Sequence, residues 1–62
     1  MLLKDLLQTV DYDEQINLWN RKGVMIESGL AQNNTIWGYG DCTVYNVSGA
    51  GPITLNVTIN MR

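Results

Sequence analysis

Asp11, Asp13 and Glu14 form the one carboxylate cluster in a chain that has no histidine and a single cysteine, Cys42. Catalysis would have to be assembled from these groups. Without histidine, a general base near neutral pH must be a tuned carboxylate, lysine or cysteine. The Asp-x-Asp spacing resembles a calcium loop, but the glycine required at the sixth position is here Ile16, and the closing glutamate is missing. The cluster therefore reads as a solvated loop. A nucleophilic Cys42 would need a base partner or an electropositive setting, and its neighbour is Asp41, so it reads as a small core residue. Gly38-Tyr39-Gly40 lacks the third glycine, the lysine and the following helix of a phosphate loop. A lone cysteine cannot supply the four N/S ligands of a zinc site or close an internal disulfide. The expectation is a protein that is not an enzyme and uses no cofactor or metal.

Binding has more to work with. Trp19, Trp37, Tyr39 and Tyr45 are aromatic rings with a polar handle, and phenylalanine is absent. Such rings suit surfaces that become buried on contact, with one end against apolar groups and the other on a hydrogen-bond partner. Trp19 falls beside Arg21-Lys22, the only adjacent basic pair. A ring next to cations can stack on a planar group while the cations meet an anion. The ligand-contact candidates are Trp19, Arg21, Lys22, Asn34, Trp37 and Tyr39. The plain alternative for Trp19 is cover for a second layer or a subunit interface.

The elements that must position these residues follow from periodicity. Leu3, Leu6, Leu7 and Val10 have the 3/4 spacing of one helix face, with Lys4 and Gln8 opposite. So short a helix is marginal alone and must dock. From Gln15 the period becomes two: Ile16 and Leu18 point one way, Asn17 and Trp19 the other. Asn20-Arg21-Lys22-Gly23 supplies a turn, with Gly23 suited to positive φ. Val24, Ile26 and Ser28 then alternate with Met25 and Glu27, giving a hairpin over 15–29. A short strand is expected around Thr35–Trp37, another over Thr43–Val47, and a loop over Ser48–Pro52. Ile53, Leu55, Val57, Ile59 and Met61 alternate with Thr54, Asn56, Thr58 and Asn60, the pattern of a half-buried antiparallel strand. Its polar face carries no charge, so pairing of this strand's edge with a second chain is expected. The fold class is α+β: a short N-terminal helix followed by a small, mostly antiparallel four-stranded sheet.

Length and charge bound the rest. Sixty-two residues make a single small domain, residues 1–62. A chain of that size buries only about 60% of its unfolded surface and leans on disulfides, metal, regular packing or self-association. With the first two excluded, a homo-oligomer is expected. Four basic residues against six acidic ones, net −2, do not suit a nucleic-acid polymer. An apolar content of 45% with 16% charged residues excludes intrinsic disorder. No run approaches a membrane-spanning helix. Charge at Lys4-Asp5 interrupts the start before an apolar leader can form, so the expected setting is cytoplasmic with Cys42 reduced. Asn33-Asn34-Thr35, Asn46-Val47-Ser48 and Asn56-Val57-Thr58 match the glycosylation sequon and, with no export signal, read as chance.

The run Met1-Leu2-Leu3-Lys4-Asp5-Leu6-Leu7, then Asp11-Tyr12-Asp13, Ile16-Asn17-Leu18-Trp19 and a glycine turn, resembles a group of short phage and prophage proteins of Gram-positive gut bacteria. The resemblance covers mainly residues 1–30 and carries no catalytic motif. It implies stoichiometric binding in the host cytoplasm, including inhibition of host immunity. The leading expectation is a non-enzymatic oligomer, a phage counter-defence factor that sequesters a small anionic, nucleotide-type immune signal. A protein–protein inhibitor or adaptor acting on a host defence protein, and a virion or assembly accessory protein, stand beside it.

Overall fold

The computed structural model describes residues 1–60. It is a small α+β domain with two short helices and one four-stranded mixed sheet. The elements in chain order are α1 (Leu3–Leu7), β1 (Gln15–Trp19), β2 (Met25–Leu30), α2 (Asn34–Trp37), β3 (Thr43–Gly51) and β4 (Thr54–Asn60). The strands lie in the order β2-β1-β4-β3. Two hairpins, β1–β2 and β3–β4, are thus joined at the centre by β1 and β4.

Alternation in the central strands decides where the core lies. Ile16 and Leu18 of β1 align with Leu55 and Val57 of β4, and Ile59 aligns with Val44 of β3. Onto this face both helices dock, burying Leu3 and Leu7 of α1 and Ile36 of α2 against Ile16, Leu18, Val57 and Ile59. Leu6 and Val10 pack at the margin, so the 3/4 spacing does mark the docking face of α1. At the start of that helix the Asp5 carboxylate accepts the Leu2 N–H at 3.3 Å, satisfying one end donor. Among the described residues no helix lies over the opposite sheet face, which bears Asn17, Trp19, Asn56 and Thr58.

The hairpin over 15–29 forms as the sequence indicates. Asn20 Oδ1 accepts the Lys22 and Val24 N–H groups at 2.9 and 3.0 Å, and Gly23 takes φ +84°. A bulge leaves Ile26 without a partner: Trp19 aligns with Met25, and Leu18 with Glu27. Ile26 therefore turns toward the core while Ser28 aligns with Asn17 on the open face, which breaks the simple alternation.

Three expectations are corrected and one is refined. Two of the three strand pairings are antiparallel as expected, but the central pair β1–β4 runs parallel, so the sheet is mixed. Residues 34–37 form helix α2 where a strand over Thr35–Trp37 was expected; Asn33 caps it, its Oδ1 accepting the Thr35 N–H at 2.8 Å. The Ser48–Pro52 loop is replaced by a β3 that runs through Gly51, leaving only Pro52-Ile53 between the strands, and Ile53 is 63% exposed instead of buried. Finally, the alternating C-terminal strand is internal, bonded to β1 on one side and β3 on the other, so its edges are not available to a second chain. Met61 of that expected strand lies outside the described residues.

Gly40 sets how closely the α2 end approaches α1. It is buried, its carbonyl accepts the Lys4 N–H at 3.0 Å, and a Cβ there would stand 2.9 Å from the Trp37 carbonyl oxygen and 3.2 Å from Lys4 Cβ. Gly40→Ala is expected to lower stability by about 1–3 kcal/mol through overpacking against backbone. Urea denaturation checks this, with Gly49→Ala, where the added Cβ meets nothing within 4 Å, as the comparison.

Candidate functional site

The open sheet face carries an uncharged amide array. Gln15 Nε2 donates to Asn17 Oδ1 at 3.3 Å, and Asn17 Nδ2 donates to Asn56 Oδ1 at 3.1 Å. The Trp19 indole Nε1 donates to that same Asn56 oxygen at 3.0 Å. These contacts hold the half-buried Trp19 ring against the sheet: its polar tip is satisfied by β4 and its body lies alongside the hairpin turn.

Next to Trp19 the turn carries Arg21 back over β3. The guanidinium carbon lies 4.2 Å from the centroid of the Tyr45 ring, within cation–π range. Trp19, Arg21, Tyr45, Asn46, Asn56 and Thr58, with Asn20 and Gly23, line an open groove of about 340 Å³. Among the described residues no carboxylate lines it, so a chain of net charge −2 presents a locally cationic groove there. A guanidinium stacked on a ring uses its face and keeps its in-plane N–H donors for an anion, which lysine cannot do. Among the described residues the Arg21 side chain makes no ion pair or hydrogen bond. Lys22 lines an adjoining opening of about 430 Å³ with Arg21, Ile26, Ile59 and Asn60.

The six residues singled out from sequence thus divide. Trp19 and Arg21 share the groove, and Lys22 borders it across the turn. Trp37, Tyr39 and Asn34 do not join them. Trp37 and Tyr39 pack against the core in the helix layer, and the Trp37 indole N–H donates to the Ala31 carbonyl at 2.7 Å. Asn34 opens α2, exposed. Sequence reasoning left out Tyr45, Asn46, Asn56 and Thr58. Asn56 and Thr58 were legible as the polar side of the alternating strand. Tyr45 was not, because it sits at a bulge where the register shifts between Val44 and Asn46.

Fold and groove together define a small α+β domain with one sheet face packed by helices and the other open, bearing an aromatic–cation groove. No family model, no curated protein and no solved structure matches this chain. Among the described residues no helix is long and apolar enough to cross a membrane.

Proposed function

We propose that this chain is a non-enzymatic binding protein whose open-face groove takes a small planar anion of nucleotide type. The observation that carries the reading is Arg21 held over Tyr45 at 4.2 Å beside the Trp19 ring, in a groove that no carboxylate lines among the described residues. Rings supply faces for a base, Arg21 supplies a fork for phosphate, and the Asn46 and Asn56 amides supply donors and acceptors for polar edges. In the phage setting that the N-terminal resemblance implies, such a ligand is an immune signal withheld from the host in its cytoplasm.

The test is titration with a ribonucleoside monophosphate and with its unphosphorylated nucleoside, following the Trp19 indole N–H resonance. The nucleotide is expected to bind, and Arg21→Ala to weaken it at least about tenfold, the equivalent of about 1.4 kcal/mol, with little change for the nucleoside. Lys22→Ala is expected to do less, since Lys22 lines the adjoining opening. Equal affinity for Arg21→Ala and the natural chain, or no response to any nucleotide, sinks the reading.

A protein partner is the second reading, and one observation favours it. Met25, aligned with Trp19, and Leu30, aligned with Gln15, stand exposed on the same open face. Co-purification of one stoichiometric host protein, lost on Met25→Asp, would move the weight there.

A further inference from the structure

Met1 and Leu2 already use the outer edge of β3 at its start. Leu2 bridges Thr43 in antiparallel sense, and the Val44 N–H donates to the Met1 carbonyl at 2.8 Å. From Tyr45 to Gly51 no described segment continues that pairing. Exposed edges are kept single by lysine, proline, inward charge, bulges or a covering element. Tyr45–Gly51 has no charged residue and no proline. Its protection is confined to the register shifts at Tyr45 and Ala50, which leave Asn46–Gly49 regular. The other outer strand, β2, carries Glu27 and packs against α2.

We infer that a second copy of this chain occupies this edge, its β3 antiparallel to the first about a two-fold axis through Ser48. Self-pairing requires a segment compatible with its own reverse, and an uncharged strand of small residues around Ser48 meets that condition without facing like charges. Ser48 is the midpoint of the unpaired stretch. A register centred on Val47 would bring Gly51 of one copy onto Thr43 of the other, a place Leu2 already holds. Centred on Ser48, each hydroxyl lies opposite its equivalent on the open face, and Val47, 39% exposed, lies opposite Gly49 of the other copy. Faces are preserved, so the helices of both copies cover one side of a continuous sheet and both grooves open on the other. The added cover goes to a chain whose fully buried apolar set is limited to residues such as Leu3, Leu7, Ile16 and Val57. This pairing does not rest on the nucleotide reading: a failed titration leaves it standing, and a monomer leaves the groove reading standing.

Sedimentation of the full chain across a concentration series, without ligand, is expected to show a dimer. Ser48→Lys sets two lysines opposite each other at an exposed site and is expected to raise the dissociation constant about tenfold or more while the circular dichroism spectrum is kept. Opposed residues in such a pair sit within the Cα separation a disulfide spans. In a Cys42→Ala background, Ser48→Cys is therefore expected to oxidise to a covalent dimer, and Val47→Cys to remain uncrosslinked. A natural chain that stays monomeric, a Ser48→Lys variant that dimerises like the natural chain, or crosslinking through residue 47 and not 48 overturns the inference.

Discussion

Val57→Asp is expected to leave the chain without a cooperative fold. Val57 sits on β4 between Leu18 of β1 and Val47 of β3 and is fully buried. The substitution loses the burial of the valine side chain, about 1.5–3 kcal/mol. It also places a carboxyl among Leu7, Ile16 and Ile36, where the ionised form costs several kcal/mol and the neutral form still lacks a hydrogen-bond partner. A single core of this size supplies rarely more than about 3–5 kcal/mol in total, so the loss exceeds what is available. Far-UV circular dichroism and dispersion of the amide resonances check it. A folded Val57→Asp with a sharp thermal transition would mean that β4 packs with its other face inward. Thr58→Asp on the open face is the control, expected to fold while altering the groove.

Leu7→Ala is the second large effect, expected to cost about 2–5 kcal/mol. Helix α1 has only five residues, far below the length at which a helix holds itself in water. Its existence therefore rests on docking, and Leu3 and Leu7, one turn apart, are its two fully buried contacts. Removing the Leu7 side chain opens a cavity that Ile36, buried from α2, cannot fill without moving its own helix. The loss should appear as a lowered urea midpoint of the whole domain, monitored on sheet resonances, not as local fraying of α1. The exposed neighbour Gln8→Ala should stay within about 0.5 kcal/mol. A Leu7→Ala midpoint equal to that of Gln8→Ala would show α1 undocked.

Both effects, like the Gly40 one, turn on features of unequal legibility in the sequence. The buried face of β4 was plain from strict alternation, and Leu3 and Leu7 from their spacing. The close approach at Gly40 was not: two glycines among large rings indicate missing bulk, but only the meeting of Lys4 with the end of α2 shows what the bulk would have struck. The groove divides in the same way. Trp19 on the face opposite Ile16 and Leu18, next to the Arg21 turn, follows from period two and turn chemistry. Tyr45 under Arg21 joins strands distant in sequence, and Trp37 satisfying the Ala31 carbonyl removes a ring that composition alone offered to the ligand.

Sequence by itself determined what depends on neighbours along the chain: the docking face of α1, the β1–β2 hairpin with Gly23 at positive φ, and the core side of β4. These follow from side-chain period and local backbone sterics, which act within a few residues. Tertiary structure decided strand order, the parallel β1–β4 pair and the helical state of residues 34–37. Backbone hydrogen bonds between strands carry no residue identity, so alternation marks which face of β4 is buried but not which strands flank it. Thr35, Ile36 and Trp37 have strand-favouring side chains, and the Asn33 cap together with burial of Ile36 against α1 and the sheet outweighs that preference.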